Sequence, residues 1–401
     1  MSNPSLRLKK KNGENYPDWK LIRLGDVLLE RNEKASGSEE LLSVTQSEGI
    51  IKQSDSAKRD SSSSIKKNYK KVHVGDIAYN SMRMWQGAEG LSQYDGIISP
   101  AYTVLKSDNA NMAFFEILFK SPYALNMFRR HSQGLTSDTW NLNYDKFSKI
   151  SLAVPCEEEQ EQIVQLFSAI SEKINIKREK IKNLESRRKT LIEQIFLGDI
   201  RIGEDKPEDW RTVRLSELMS FKNGINGSAE DFGVGGIKCI GVSEVFKCNP
   251  IYSDGIKGTV KIPDETFEDY KVEYGDVLFQ RSSETMEDIG HASVYVDHEP
   301  AVFNGFVIRG KKQGEYNALY MHYALQTDDV RRQTIRLGAG AQHYNIGQES
   351  IASILIKMPK GKDQARIAEF LSLIDEEIEC ELSQIEHWNT FKSGLLQQMF
   401  R

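Results

Sequence analysis

The sequence is poor in the residues that build catalytic, metal-binding or disulfide-linked sites. Its 401 residues include only four cysteines, which have neither the CxxC spacing of a zinc site nor the density of a disulfide framework. The seven histidines form no HExxH motif, and no GxxxxGK[ST] loop is present to drive a nucleotide-dependent motor. We therefore predict a chain without catalytic residues, metal ligands or a cofactor of its own.

The sequence also lacks long apolar runs. No segment approaches the roughly 18 consecutive apolar residues of a membrane span, and the start MSNPSLRLKKK has no apolar stretch of the secretory type. We expect a cytoplasmic protein with no membrane association. Because 39% of the residues are hydrophobic and 28% are charged, the composition is that of a globular protein with real cores.

The charge is distributed unevenly along the chain. The formal net charge is −5, which does not favour binding to a polyanion. Residues 1–153, however, carry 22 Lys and Arg against 17 Asp and Glu, whereas residues 203–360 carry 18 against 24. Only the first half therefore has an overall basic footprint, although local patches matter more because screening limits the reach of a charge.

The most informative feature is one long internal repeat. Four segments of the first half return in the same order in the second half. The matched pairs are PDWKLIRLGDVL at Pro17 with EDWRTVRLSELM at Glu208, LLSVT at Leu41 with CIGVS at Cys239, VHVGDIAYNSMR at Val72 with VEYGDVLFQRSS at Val272, and VPCEEEQEQIVQLF at Val154 with MPKGKDQARIAEFL at Met358. The rising offset indicates two copies of one unit that differ by small insertions.

Each copy has the pattern of an α+β globule followed by a helix. Apolar residues alternate around a Gly-Asp turn in residues 71–80 and 271–280, which predicts strands. Apolar residues at helical spacing follow in residues 111–130 and 316–335. A glycine-containing loop and a last strand then end each globule at Pro155 or Pro359.

A charged helix with a heptad pattern ends each copy. The predicted apolar positions are Ile170, Ile174, Ile181, Leu184, Leu191 and Ile195 in the first copy, with polar members Lys177 and Arg188, and Ile374, Ile378, Ile385, Trp388, Leu395 and Met399 in the second, with Glu381 and Lys392. Two such stripes can bury each other as a coiled coil. The alternative is a surface helix docked on its own globule, but about 60 Å of helix exceeds the width of such a domain.

Polar side chains in two loops of each copy are candidates for reading DNA. Arg can donate two hydrogen bonds to guanine, Asn or Gln can pair with adenine, and aromatic rings can pack on sugar or base. Such residues also occur in ordinary solvated loops. The candidates are Asn80, Arg83, Trp85, Gln86, Ser137, Trp140 and Asn141 in the first copy, and Gln280, Arg281, Ser282, Ser283, Gln342, His343, Tyr344 and Asn345 in the second.

A basic cluster in the first copy is a candidate for phosphate contacts. Lys66, Lys67, Lys70 and Lys71 surround Tyr69. Clustered lysines neutralise phosphates on a DNA backbone, although charge runs are often only solvated surfaces. We include Lys66 and Lys67 among the candidate DNA-binding residues.

With these residues the chain resembles the specificity subunits of type I restriction-modification systems over essentially its whole length. The motifs that carry the resemblance are Trp19 with Leu24-Gly25-Asp26, the Gly-Asp strand, Pro155 with Glu159-Gln160, Pro359 with Asp363-Gln364, and the helix ends LIEQIFLGDIRI and LLQQMF. The second copy departs from the pattern, since Leu215-Ser216-Glu217 replaces Leu-Gly-Asp and the globule is acidic.

The resemblance implies an α+β fold with a pseudo-twofold internal repeat, in which two similar mixed α/β target recognition domains are joined by a pair of long antiparallel coiled-coil helices. On this basis we assign residues 1–156 and 203–360 to the recognition domains, and residues 157–202 and 361–401 to the central and C-terminal helical spacers.

The resemblance also implies a non-catalytic subunit that binds double-stranded DNA. Each recognition domain would read one half of a bipartite asymmetric site, and the helices would set the gap between the halves. Two modification subunits would supply S-adenosylmethionine and adenine methylation, and restriction subunits would supply translocation and cleavage with ATP and Mg. Two alternatives remain: the specificity component of a system with fused nuclease and methylase subunits, and a coiled-coil scaffold that does not bind DNA.

Overall fold

The computed structural model describes residues 4–36, 39–46, 49–55, 66–134, 136, 139–226, 232–340 and 343–400. The chain divides into two compact units. Unit 1 comprises Met1–Arg178 and Ser383–Arg401, and unit 2 comprises Glu179–Leu382. Because the boundary residues lie within the two longest helices, both of these helices contribute to both units.

Among its described residues, the globule of unit 1 contains ten short strands in four antiparallel sheets. The strands are β1 (Lys20–Arg23), β2 (Leu29–Glu30), β3 (Leu42–Thr45), β4 (Gly49–Lys52), β5 (Lys70–Val72), β6 (Ile77–Asn80), β7 (Glu89–Leu91), β8 (Gly96–Ile98), β9 (Tyr102–Lys106) and β10 (Ser151–Val154). The largest sheet has the order β2-β9-β6-β7, and the pairs β1-β10, β3-β4 and β5-β8 complete the set.

The described part of unit 1 also contains four short α-helices, α1 (Leu24–Val27), α2 (Met112–Phe119), α3 (Pro122–His131) and α4 (Tyr144–Phe147), and the first part of the long helix α5 (Glu157–Leu197). The end of a second long helix, from Ser383, also belongs to unit 1. The predicted helical patch is therefore two helices. The break falls at Ser121, whose hydroxyl accepts from the amide of Ala124 and caps α3, with Pro122 in its first turn.

Unit 2 repeats two of these sheets, and among its described residues two different sheets replace the other two. Its strands are β11 (Arg211–Arg214), β12 (Met219–Asn223), β13 (Phe232–Ile240), β14 (Thr259–Val260), β15 (Val277–Gln280), β16 (Ser282–Ser283), β17 (Ala292–Val294), β18 (Ala301–Phe303), β19 (Val307–Lys312), β20 (Tyr344–Asn345) and β21 (Leu355–Met358). The order β12-β19-β15-β17 matches β2-β9-β6-β7, and β11-β21 matches β1-β10. The replacing sheets are β14-β13-β18, in which the last pair is parallel, and β16-β20.

The described helices of unit 2 follow the same order, with two additional short helices after the first. They are α6 (Leu215–Leu218), α7 (Val242–Phe246), α8 (Asp264–Tyr270), α9 (Ala318–Ala324), α10 (Asp328–Leu337), α11 (Gln348–Ala352) and α12 (Gly361–Met399). The break in the second helical patch falls at Thr327, whose hydroxyl oxygen accepts from the amide of Val330. No helix in the described part of the chain combines the length and the apolar character of a membrane span.

The two Gly-Asp turns have the same construction. Gly75 and Gly275 both adopt a φ of +90°, which favours glycine because it has no Cβ. The following aspartates accept a hydrogen bond from the backbone amide three residues earlier, at 2.9 Å from His73 to Asp76 and at 3.0 Å from Glu273 to Asp276. The motif therefore fixes a tight turn before β6 and β15.

The glutamine in the motif after each proline bonds back to that proline at the start of a long helix. The Gln160 amide donates to the Pro155 carbonyl at 3.0 Å, and Gln364 donates to Pro359 at 2.8 Å. The preceding acid is buried in both copies, where Glu159 accepts from Arg7 and Trp19. Asp363 accepts from the amides of Glu204 and Asp205 at the start of the second copy. Each acidic residue thus ties a helix start to the first segment of a globule.

Within each unit the long helices run antiparallel. In unit 1, Lys173 lies 4.6 Å from the ring centroid of Trp388, and the Lys392 ammonium donates to Ser171 Oγ at 2.9 Å. In unit 2, the Lys180 ammonium lies 2.8 Å from Glu377 and 2.8 Å from Glu381. Residue numbers rise along one helix as they fall along the other, which confirms the predicted antiparallel pairing.

The predicted heptad positions face the interior. Every apolar member is buried or half-buried, and all but Ile374 are named in a core cluster or among the buried side chains. In unit 1 the core combines Phe114, Phe119 and Phe147 of the globule with Phe167 of α5 and Phe400, which directly follows α12. In unit 2 the core likewise includes Phe196 and Leu371. The helices are therefore part of both hydrophobic cores.

Candidate nucleic-acid interface

In unit 1, the first candidate loop begins at the end of β6. The Asn80 side chain accepts from the amide of Met82 at 3.0 Å, which starts a tight turn into a 3₁₀ helix at Met84–Gln86. Met84 is buried and anchors this turn, whereas Arg83 and Gln86 are exposed. The anchored backbone thus presents these two polar side chains to solvent.

The second candidate loop of unit 1 meets the first through two tryptophans. The rings of Trp85 and Trp140 are 5.2 Å apart in an edge-to-face arrangement, and the Arg129 guanidinium lies 5.7 Å from the Trp140 centroid. Both tryptophans are half-buried, and Asn141 beside them is exposed. The predicted residues Trp85, Trp140 and Asn141 therefore share one surface.

In unit 2, the corresponding loops form a small sheet. Ser282 and Ser283 in β16 pair with Asn345 and Tyr344 in β20, and Ser282 Oγ donates to Asn345 Oδ1 at 2.6 Å. The Arg281 guanidinium donates one hydrogen bond to the Gly305 carbonyl at 3.3 Å. Four of the predicted residues thus come together directly, and Arg281 adjoins them.

An equivalent backbone hydrogen bond joins the two loops in each unit. The amide of Leu142 donates to the Ser81 carbonyl at 2.8 Å, and the amide of Ile346 donates to the Arg281 carbonyl at 3.0 Å. Leu142 and Ile346 are buried and are the equivalent residues of the repeat. The structure therefore pins the same two loops together at the same point in both copies.

A cleft opens beside each pinned pair of loops. The cleft of unit 2 has a volume of about 590 Å³, and Arg281 alone among its described lining residues is charged. The others are Ile225, Asn226, Phe232, Ser282, Asn304, Gly305, Phe306 and Asn345. An arginine with amide and hydroxyl groups and an exposed Phe306 provides donors, acceptors and an aromatic surface in one place.

The cleft of unit 1 is smaller and more charged. Its volume is about 350 Å³, and its lining includes Ser81, Asn141 and Asn143 with Lys70 and the acids Glu30 and Asp145. The Lys70 ammonium lies 3.0 Å from Glu30, so its charge is balanced within the cleft. Burial raises the pKa of Tyr144, another lining residue, which keeps its hydroxyl protonated while it donates to the Leu28 carbonyl.

Two of the four lysines in the predicted basic cluster already lie in ion pairs. Lys70 pairs with Glu30, and the Lys71 ammonium lies 3.9 Å from Glu39. Lys67 is exposed and Lys66 is half-buried, and no ion pair is described for either of them. The assignment of these two lysines to phosphate contacts stays a prediction.

The remaining predicted residues are Ser137, Gln280, Gln342 and His343. Ser137 and Gln342 lie outside the described residues. Gln280 is buried, with 4% of its surface exposed, and its amide donates to the Ser282 carbonyl at 2.9 Å. Gln280 therefore supports the β16 loop from below, whereas His343 next to β20 is exposed.

Sequence reasoning missed several residues that line the clefts. Asn226, Asn304 and Phe306 come from loops outside the two candidate segments of unit 2. Asn304-Gly305 before an exposed aromatic residue is a turn signal that could have drawn attention to Phe306. Asn226 carries no comparable signal, because its position depends on the parallel bridge of Ile225 with Asn304.

No group of three or more His, Cys, Asp or Glu side chains in the described ranges has a geometry suited to a metal ion.

Comparison with known proteins places these features in a family. The family model for the type I restriction modification DNA specificity domain matches residues 16–186 and again residues 207–387. The type I restriction enzyme MjaVIII specificity subunit of Methanocaldococcus jannaschii is 23% identical over 424 aligned residues, which cover 97% of this chain and 93% of that protein. The putative MjaX specificity subunit of the same organism is 24% identical over 48% of this chain and 46% of that protein.

Solved structures show the same fold. A chain from a structure of complex assembly and conformational transition in the type I R-M system superposes with a TM-score of 0.57 at 17% identity, covering 96% of this chain and 98% of that one. The type I restriction-modification S subunit of M. genitalium gives a TM-score of 0.53 at 14% identity, covering 100% and 99%.

Proposed function

The chain belongs to the family of type I restriction modification DNA specificity proteins, and from this membership we propose that it is the non-catalytic DNA-reading subunit of such a complex. Each unit reads one half of a bipartite asymmetric site in double-stranded DNA. Methylation and cleavage are carried out by other subunits.

The observation that carries this proposal is the pair of pinned loops. In both units the same backbone hydrogen bond joins the loop after the Gly-Asp strand to the glycine-containing loop. The fixed backbone holds different side chains at three equivalent positions, which are Ser81, Arg83 and Trp140 in unit 1 and Arg281, Ser283 and Tyr344 in unit 2, whereas Asn141 and Asn345 are alike. A constant frame with variable side chains is suited to recognising two different half-sites.

The side chains suggest how a half-site is read. In unit 2, Arg281 has guanidinium donors beyond the one that binds Gly305, and these can pair with the O6 and N7 acceptors of guanine. Asn345 offers an amide suited to adenine, and the exposed Phe306 can pack against a thymine methyl group or a sugar. Lys66 and Lys67 supply phosphate contacts in unit 1, while unit 2 relies more on base contacts because its segment is acidic.

The chemistry of the complex belongs to the partners. Two modification subunits bind S-adenosylmethionine and methylate adenine after it is flipped out of the stack, and restriction subunits use ATP and Mg. The outer faces of α5 and α12 are rich in charged side chains with exposed apolar residues between them, such as Phe370 and Leu373. Such a mixed surface suits docking of these subunits.

The paired helices set the distance between the half-sites. A helix rises about 1.5 Å per residue and DNA about 34 Å per turn, so removal of matched heptads from both helices shortens the readable gap. Unchanged spacing in such a deletion would contradict this part of the proposal.

The function is tested by mapping methylated adenines. The full chain is expressed with its methyltransferase subunits in a host that lacks other adenine methylases, and the genome is sequenced by a single-molecule method. We expect one bipartite motif that disappears when this chain is omitted. Methylation that is independent of the chain, or no salt-dependent retention of the assembled complex on DNA, would contradict the proposal. Cleavage on both sides of the site would favour a system with fused nuclease and methylase subunits.

A further inference from the structure

A polar cluster joins the globule of unit 2 to the helix pair. At its centre is Arg188, the polar member of the heptad pattern in α5, whose side chain is 13% exposed. Its guanidinium lies 3.2 Å from the Asp375 carboxylate of α12 and donates to Gln326 Oε1 at 2.6 Å. It also donates to the Cys248 carbonyl at 3.4 Å. One side chain thus contacts both the partner helix and two segments of the globule.

The partners of Arg188 are themselves fixed. The Gln326 amide donates to the Cys248 carbonyl at 3.0 Å, and it lies 2.6 Å from Nε2 of the fully buried His322. The Tyr323 hydroxyl donates to the second oxygen of Asp375 at 2.6 Å. Each of these partners makes a second hydrogen bond that fixes its position. Arg188 can therefore bind all of them at once in one orientation of the globule relative to the helices.

The repeat provides an internal comparison in unit 1. Lys392 lies 204 residues after Arg188, and Ser171 lies 204 residues before Asp375, so the two pairs are equivalent. Asn111 and Asn317 cap equivalent helices of the two units. Counted from these caps, Glu116 corresponds to His322 and Lys120 corresponds to Gln326. Lys392 donates to Ser171 Oγ at 2.9 Å, but Lys120 binds Glu116 of its own helix. Burial lowers the pKa of Lys392, and the positive charge of Lys120 lowers it further.

The two junctions therefore differ in strength. In unit 2, Arg188 of the helix donates directly to Gln326 of the globule. In unit 1 the equivalent positions are Lys392 and Lys120, two cations that repel each other. We propose that Arg188 is a positioning residue that fixes the recognition globule of unit 2 on the paired helices and thereby restricts the base-pair spacing of the recognised site. Lys392 has a weaker form of this role in unit 1.

The inference rests on the proposed DNA-reading function, and its test uses the full chain with its methyltransferase subunits. Methylated adenines are mapped for the natural protein, for Arg188→Gln and for Arg187→Gln, which changes the exposed neighbouring arginine of the same helix. For Arg188→Gln we expect the same two half-site sequences, with methylation at sites one base pair longer or shorter raised about tenfold over the natural protein. Arg187→Gln keeps the single spacing.

Two further variants make the test decisive. Arg188→Lys keeps a cation for Asp375 but lacks the planar fork that reaches Gln326 and Cys248 together, so it should relax the spacing to a smaller extent. It replaces Arg188→Gln if that variant does not accumulate. Lys392→Gln should relax the spacing less than Arg188→Gln does.

The outcomes separate positioning from mere stability. A uniform loss of methylation without new spacings would overturn the inference, and so would an unchanged map for both Arg188 variants. A natural protein that yields no bipartite motif would instead contradict the proposed function, before any substitution is considered.

Discussion

The rings of Trp19 and Phe400 lie 5.7 Å apart, so the opening segment of the chain packs against its last helical turn. Unit 2 contains the equivalent contact, since Trp210 and Phe196 are also 5.7 Å apart. Each globule thus closes its core with the C-terminal end of one long helix. The contact in unit 1 joins α12 to the first globule, and the contact in unit 2 joins α5 to the second.

Phe400→Ala should destabilise unit 1 strongly. Phe400 is 1% exposed and contacts both Trp19 and Phe114, so truncation leaves a cavity that costs about 3–5 kcal/mol of unfolding free energy. Denaturant unfolding of the full chain, followed by tryptophan fluorescence, measures this loss. The control is Phe391→Ala in the same helix, which changes a ring that is 50% exposed. Equal effects of the two substitutions would contradict the packing described for Phe400.

Lys180→Glu should weaken the helix pair in a salt-dependent manner. Its ammonium lies between Glu377 and Glu381, and the reversed charge would place three carboxylates together. We expect a lower Tm at low ionic strength that partly recovers at about 1 M salt, where screening is strongest. Lys182→Glu, at an exposed position of the same helix, should change the Tm less. A loss that salt leaves unchanged would argue against an electrostatic cause.

His322 should make unit 2 sensitive to acid. Burial, with a contribution from the positive charge of Arg188, lowers the pKa of its imidazole to about 3. The unfolded chain protonates this imidazole near pH 6.5, whereas the folded chain keeps it neutral. Its contribution to the unfolding free energy is therefore fully present above that pH and is lost as the pH falls toward 3, by up to about 1.4 kcal/mol per pH unit.

Substitution of His322 provides the measurement. His322→Gln should flatten the dependence of the unfolding free energy on pH between about 6.5 and 4, relative to the natural protein. The matched change is His298→Gln, at an exposed histidine of the same unit, which should preserve the natural slope. An identical slope for the natural protein and His322→Gln would show that this imidazole is not buried in its neutral form.

Arg281→Ala should impair reading of one half-site. If its free guanidinium donors pair with guanine, their loss costs about 1–3 kcal/mol of discrimination at a single base pair. The methylation map should become degenerate at that position while the other half-site keeps its sequence. Arg336→Ala changes an exposed arginine of unit 2 that does not line the cleft, and it should leave the map unchanged. Loss of sequence preference in both half-sites would contradict the assignment of one half-site to each unit.

The helices were the most predictable part of the molecule. The apolar spacing from Ile170 to Ile195 is a local signal that depends on the helix itself, and all of it falls within α5. The predicted helical patch of each globule proved to be two helices instead of one. Ser121 before Pro122 is a capping signal that would have revealed this break from the sequence.

The candidate site was predicted in its segments but not in its full composition. The repeat identified both loops of each unit because their glycines and aromatic residues align. It could not bring Asn226 and Phe306 to Arg281, since their proximity depends on pairing between remote strands. Nor could it show that Gln280 points into the core, because strand alternation gives the face of a residue only when the register of the sheet is known.

The shared helices also determine when each unit can mature on the ribosome. Unit 2 is one uninterrupted stretch of chain and holds all of its residues once Leu382 has been synthesised. Unit 1 begins to emerge first, yet its core includes Leu395, Met399 and Phe400. The globule that is translated earliest is therefore completed last, and an early stop codon in the final helix damages the opposite end of the polypeptide.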